Sequence, residues 1–453
     1  MLNVIEMPVP ANTQPAISEN AETVFERLES SVQTYARNFP KIFDKAVGVQ
    51  MWDVDGNRYL DFLSGAGSLN YGHNHPVMKG ALIDYLQADY IGNSLDLHTR
   101  AKAEFMCTFD ELILRPRQLD YVLQFTGPTG TNAVEAAMKI ARKVTGRSNI
   151  VAFTNGFHGV TSGALAATGN GGQRAGSGLP LSGVSRFPFD GYLGEDFDTT
   201  VILEKMLGDP SSGLDLPAAV LLETVQGEGG HNAASAEWLQ TIESLCRQYG
   251  ILLIVDEIQS GCGRTGTFFS FEPSGIRPDI VTLSKSISGM GLPLALTLLR
   301  KEIDIWKPGE HNGTFRGNNH AFITATAALK HFWTDNNFQL EIQRKSKLLE
   351  DRLICIQDRF RNDITDLPGR GMMRGLKFSD PDSAAQVTKL AFEDGLIAER
   401  VGPRDEVVKC MTPLNIEDHH LIEGLNILET AIVKALRAGH SGSHSTDGIN
   451  ENG

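Results

Sequence analysis

The chain has 453 residues, enough for two or three domains, with 41% hydrophobic and 21% charged residues, as in an ordinary water-soluble globular protein. Its net charge of −14 argues against nucleic-acid binding and against anionic membrane surfaces. No apolar run reaches the ~18–20 residues of a membrane span, and the N-terminus lacks the basic and apolar regions of a signal peptide. Five scattered cysteines (Cys107, Cys246, Cys262, Cys355, Cys410) without a CxxC pair suit reduced thiols in the cytoplasm, and neither a disulfide framework nor a zinc site.

Residues 1–20 read as a mobile arm, and residues 21–75 as a segment that contributes to a small domain. Within it, "QMWDVDGNRYLDF" (50–62) has the pattern of a hairpin around Asp55-Gly56. A large domain is expected over 76–334. There short apolar runs at 121–125, 150–153, 218–223, 251–257, 279–284 and 294–299 alternate with helical patterns such as 131–144 and 236–249. Apolar runs without polar alternation predict strands buried on both faces, hence an α/β fold with a mostly parallel sheet between helices. From 335 to 438 longer helices (338–361 and 417–437) and short strands near 372–378 and 407–411 predict a smaller α+β domain. The Gly/Ser/Asn-rich tail, 439–453, reads as disordered.

Parallel α/β sheets bind ligands at the carboxyl ends of their strands, so the residues that follow each run matter most. After 121–125, "TGPTGTNAVEAAMKIAR" places Gly127, Gly130 and Thr131 at the start of a helix, with Thr131 or Asn132 as its N-cap. Free N–H groups and a hydroxyl there can hold an anion. After 150–153 come Phe157, able to stack on a planar ligand, and His158. After 218–222 come Glu223 and Glu228 of "ETVQGEGG", carboxylates that need partners if buried. Asp256 closes the most apolar run. The GxGxxG match at 261–266 lacks a following helix and is expected to shape a loop, not a dinucleotide site. Lys285 follows 280–283 among small residues. An anion cradle, an aromatic plate, a buried carboxylate and an amine at one sheet edge fit a phosphorylated aromatic aldehyde. Desolvation makes an enclosed lysine nucleophilic, and a carboxylate can keep a pyridine nitrogen protonated. His73 and His75, and His419 and His420, lack further ligands at metal spacing, so no metal site is expected.

At "DVDGNRYLDF", "GHNHP", "GPTGTNAVEAAMKIAR", "FHG", "ETVQGEGG", "DEIQSGCGRTG", "LSK" and "HNGTFRGNN" the sequence resembles class III (omega-amino-acid) aminotransferases of pyridoxal-phosphate fold type I, over roughly residues 24–437. Residues 114–147, 307–319 and 405–414 are similar to the diaminobutyrate–2-oxoglutarate branch of that family. The resemblance implies pyridoxal 5'-phosphate as cofactor. It implies that Lys285 holds the cofactor and shuttles a proton, that Asp256 pairs the ring nitrogen, and that Gln259 bonds the phenolic oxygen. Phe157 would cover the ring, with His158 and Glu223 nearby. Gly130 and Thr131 would bind the phosphate, helped by Thr314 from the other subunit of a homodimer.

The implied reaction moves the terminal amine of 2,4-diaminobutyrate or a similar diamino acid to 2-oxoglutarate. Glu228 and Lys409, with Arg316, are the implied substrate contacts. Lys409 stands where relatives carry a carboxylate-binding arginine, and a lysine offers a point charge in place of a bidentate fork. Other donors (ornithine, 4-aminobutyrate, a secondary-metabolite amine), a mutase or decarboxylase of the same fold, and a non-catalytic scaffold are the competing readings.

Overall fold

The computed structural model describes residues 21–442; the expected arm, 1–20, and the part of the expected tail over 443–453 lie outside them. Near the N-terminus, β1 (Phe43–Val47), β2 (Gln50–Asp53) and β3 (Arg58–Asp61) form an antiparallel meander whose β2–β3 pair is the expected hairpin.

Seven further strands make the central sheet: β4 (Tyr121–Phe125), β5 (Ile150–Phe153), β6 (Val184–Phe187), β7 (Ala219–Leu222), β8 (Leu252–Asp256), β9 (Ile280–Leu283) and β10 (Leu296–Arg300). Their order is β4-β10-β9-β8-β7-β5-β6. Only β10 runs against its neighbours, so the carboxyl ends of the other six strands share one edge. Every residue of β5, β7, β8 and β9 is buried, which is why these runs carry no polar alternation. Each fully buried aliphatic side chain among them contributes about 1.5–3 kcal/mol. The sequence reading did not anticipate β6. It pairs only with β5 at the sheet edge, where polar Ser185 and Arg186 are tolerated and break the apolar run.

The helix after β4 runs Gly130–Thr145 and buries an alanine-rich face, which allows close approach to the sheet. It stops at Gly146, whose φ of 67° ends the helix in a left-handed turn. Its N-cap position is Thr129, two residues before the expected Thr131 and three before Asn132, because Gly130 already has helical geometry. Helix Ala236–Tyr249 is capped by Ser235, whose hydroxyl accepts from Trp238 N–H at 3.2 Å.

The C-terminal part contains helices Asn337–Arg359, Pro381–Glu393 and Asp418–Gly442, the last continuing past the helical stretch expected at 417–437. Its strands are β11 (Ile364–Asp366), β12 (Gly369–Arg370), β13 (Met373–Phe378), β14 (Leu396–Ile397), β15 (Arg400–Val401) and β16 (Val407–Cys410). β14 pairs in parallel with β3, so the N-terminal hairpin and the C-terminal part share a sheet. The GxGxxG segment forms turns with no helix, as expected. Its Arg264, fully buried, donates to the carbonyls of Thr412 (2.6 Å) and Met372 (3.2 Å) and to Asn70 Oδ1 (2.5 Å). This loop therefore clasps the central sheet to the C-terminal strands. No helix among the described residues is long and apolar enough to cross a membrane.

Candidate active site

The common strand edge bounds a cavity of about 160 Å³ lined by Gly130, Thr131, Phe157, His158, Glu223, Glu228, Asp256, Gln259 and Lys285. Nine residues singled out from five separate stretches of sequence thus meet in one place. β8 and β9 are neighbours with Asp256 opposite Thr282, so Asp256 and Lys285 emerge side by side.

Asp256 is buried and its carboxylate is held from two sides. Oδ1 accepts from Ile258 N–H (3.1 Å) and the Thr282 hydroxyl (3.0 Å), while Oδ2 pairs with His158 Nδ1 at 2.8 Å. This network fixes the orientation of the carboxylate toward the cavity. Glu223, also buried, accepts from Phe157 N–H and Gly227 N–H, each at 3.0 Å, and so ties the Phe157 loop to the loop carrying Glu228. Burial pushes Glu223 up to about 7; the nearby His158 opposes that rise and the Asp256 charge adds to it.

The Lys285 side chain makes no hydrogen bond or ion pair with a described residue, and it lines the cavity. Its backbone sits at a φ of 52°, in the left-handed region that costs a side-chain-bearing residue of order 1–3 kcal/mol. The turn aims the amine across the strand end. Burial lowers its pKa; the carboxylates of Glu228, Asp256 and Glu223 oppose that shift, and the Lys409 cation reinforces it. The shift is toward the uncharged, nucleophilic amine.

Gln259 donates from Nε2 to Ala66 O and to Glu228 Oε1, both at 3.0 Å, and its Oε1 is buried without a partner. Its side chain fits only because residue 227 is glycine, where a Cβ would lie 1.9 Å from Oε1. At the helix start, the N–H groups of Gly130 and Thr131 have no intrahelical acceptor, as the first turn of any helix dictates. The Thr131 hydroxyl lies 2.6 Å from that of Thr161, and a Cβ at Gly159 would come within 2.4 Å of Thr131 Oγ1.

Glu228 borders the cavity opening. Lys409, with no side-chain exposure, lies 3.3 Å from Glu228 Oε1 and 2.8 Å from Glu399 Oε2. Tyr35 stands within electrostatic reach of all three. Glu399 and Tyr35 were not singled out from the sequence; an acid inside the apolar run "LIAERV" was the available signal for Glu399. Two expected residues lie elsewhere in their own chain. Thr314 is exposed, and Arg316 donates to the carbonyls of Phe125 (3.1 and 2.9 Å) and His311 (2.6 Å), lining a different cavity with Asp96 and Lys102. His419 and His420 lie outside the Lys285 cavity, near Glu417. Glu417 brings a carboxylate oxygen within 4.8 Å of their ring nitrogens, on the surface and away from the Lys285 cavity.

A model of the family described as aminotransferase class-III matches residues 31–432. The chain belongs to the class-III aminotransferase family. It is 57% identical over 409 residues to a diaminobutyrate–2-oxoglutarate transaminase of Vibrio parahaemolyticus, covering 90% of this chain and 97% of that one. To the enzyme of the same name from Virgibacillus pantothenticus it is 55% identical, with 91% and 99% of the two chains covered. Among solved structures, an ornithine aminotransferase from Toxoplasma gondii superposes with a TM-score of 0.80 at 26% identity, covering 93% of this chain and 96% of that one.

As a member of this family the protein is a transaminase of fold type I that uses pyridoxal 5'-phosphate. The cavity's own chemistry fits that group. It offers an unpaired amine for the aldehyde, a fixed carboxylate for the ring nitrogen, an orphaned amide oxygen and free helix N–H groups for the phosphate.

Proposed function

We propose that the protein moves the terminal amine of L-2,4-diaminobutyrate, or of a similar diamino acid, to 2-oxoglutarate, giving aspartate 4-semialdehyde and glutamate. The observation that carries this reading is the enclosed, unpaired amine of Lys285 beside the doubly anchored carboxylate of Asp256. Identities of 52–57% over some nine-tenths of the chain, to relatives named for that donor and acceptor, support the substrate assignment.

When bound, the cofactor supplies an electrophilic aldehyde and an electron-accepting pyridine ring. Lys285 Nζ would hold the cofactor through its aldehyde and, as a free amine, would carry the proton at the substrate carbon. Asp256, braced by His158, would keep the ring nitrogen protonated. Gln259, on the cavity wall, would meet the ring's phenolic oxygen. Phe157 would cover the ring, and Glu223 fixes the loop that carries Phe157. Gly130 and Thr131 would hold the phosphate. Glu228, with Lys409 behind it, would face the substrate's far end, whereas Arg316 lines a separate cavity in its own chain.

A homodimer completes the site in this reading. Thr314 and the neighbouring Phe315, 64% exposed, belong to a segment free to meet a second copy, whose phosphate site Thr314 would reach. The chain divides into an N-terminal segment (21–75), a large cofactor-binding domain (76–334) and a small domain (335–438). Negative charge and unpaired cysteines agree with a cytoplasmic location.

The test is a donor panel (2,4-diaminobutyrate, ornithine, 4-aminobutyrate) against 2-oxoglutarate and pyruvate, followed as glutamate or alanine formed. Turnover fastest with diaminobutyrate and 2-oxoglutarate is expected. Conversion of the donor without any acceptor, as in a mutase or decarboxylase, would overturn the assignment.

A further inference from the structure

Three charged side chains meet behind the wall of the Lys285 cavity, only Glu228 among them lining it, and their charges do not cancel. Lys409 is wholly buried between Glu228, at 3.3 Å, and Glu399, at 2.8 Å. Glu399 is 9% exposed and is tied to Lys409 a second time, its carbonyl accepting from Lys409 N–H at 2.8 Å. His231 is fully buried beside them; burial first, and then the Lys409 cation, hold it neutral, so it adds no charge. One cation against two carboxylates leaves one negative charge in an environment of low dielectric, where it acts over several ångströms.

The two carboxylates are not equivalent. Glu399 takes the shorter contact from the interior side and lines none of the cavities around Lys285. The Glu228 side chain is 29% exposed. It borders both the Lys285 cavity and an adjoining one of about 100 Å³ lined by Phe157, Asn170 and Gly402. With Lys409 already neutralised by Glu399, the uncompensated charge falls on Glu228, at the place where the far end of a substrate bound to Lys285's cofactor would lie.

We propose that Glu399 is a positioning residue that sets the donor's charge class. By anchoring Lys409 from the interior, it leaves the Glu228 carboxylate to accept from a second ammonium group on the donor. The site therefore prefers diamino acids to monoamino acids of the same length. By the same count, a carboxylate on the substrate gains less from Lys409 than it would from an unpaired cation. This inference rests on the aminotransferase reading above and specifies which substrates that site selects.

The test uses the full-length holoenzyme and two length-matched donor pairs: 2,4-diaminobutyrate against 4-aminobutyrate, and ornithine against 5-aminopentanoate. For each pair, the ratio of kcat/KM with 2-oxoglutarate is measured in the natural protein, Glu399→Gln and Glu399→Asp. The natural protein should favour the diamine in both pairs. Glu399→Gln should reduce that ratio by about tenfold, mainly through the diamine's KM, with kcat for the monoamine largely retained. Glu399→Asp keeps the charge and should retain most of the preference. A general loss of structure would lower both members of a pair together and leave their ratio intact. An unchanged ratio in Glu399→Gln, an equal loss in Glu399→Asp, or a natural preference for monoamines would each overturn the inference. A natural preference for ornithine over diaminobutyrate would instead overturn the donor assignment, since the charge inference is read only within each pair.

Discussion

Lys285, at the end of the central sheet, and Lys409, on β16 of the C-terminal sheet, are the same side chain enclosed on two sides of Glu228. Burial works against the charge of each. At Lys409 the carboxylates of Glu228 and Glu399, both in direct contact, reverse that effect and hold the pKa above the usual lysine value. At Lys285 no carboxylate is in contact, the Lys409 cation adds repulsion, and the pKa falls. The contrast shows that enclosure alone does not decide a lysine's role. A lysine gripped by carboxylates is a fixed cation, whereas one enclosed without a grip is a nucleophile in waiting.

Four changes test that contrast, beginning with the largest expected effect. Lys285→Ala should abolish the visible absorbance of the covalently held cofactor and lower turnover by on the order of 10⁴, as a spectrum and a steady-state assay would show. Ordinary turnover by this variant would defeat the account.

Lys409→Met leaves the buried Glu399 and the partly exposed Glu228 carboxylates facing each other. It should cost about 3–5 kcal/mol in urea unfolding, and adding Glu399→Gln should recover much of that. A loss confined to activity, with stability intact, would mean that Lys409 is not the fixed cation described.

Asp256→Asn keeps shape and removes the charge opposite Lys285. A decrease in kcat of about 10²–10³ is expected, with the protein still folded by circular dichroism.

The smallest effect is a slope. Burial raises Glu223 and Glu257 to about 7 from an ordinary value of 4.5, so both favour the protonated form in the folded state. Their contribution to stability is complete below pH 4.5 and is lost as pH rises through 7. Glu223→Gln should flatten that decline, read from urea midpoints across the range, while lowering the plateau by about 1 kcal/mol for one lost hydrogen bond.

Much of this was legible in the sequence because it rests on local pattern. The apolar runs that become β5, β7, β8 and β9 are buried on both faces, and their ends carry the residues that meet at the cavity. β6 was not legible, because an edge strand can contain Ser185 and Arg186 without penalty. Glu399 was missed because its significance comes from Lys409, which reaches it through pairing of β15 with β16 and not through any motif. Arg264 was read only as part of a glycine-rich loop, although its three buried acceptors lie far along the chain, at Asn70, Met372 and Thr412. Thr314 and Arg316 show a different limit: sequence places them in a motif, while their own chain turns them away from the Lys285 cavity.

The central claim is that one lysine, chosen by the lack of a carboxylate grip, takes the cofactor's aldehyde. Borohydride reduction of the holoenzyme, followed by proteolysis and mass mapping, tests it directly. A single phosphopyridoxyl label on Lys285, with Lys409 unmodified, is the expected result. A label on Lys409, or one spread over surface lysines with Lys285 bare, would contradict it.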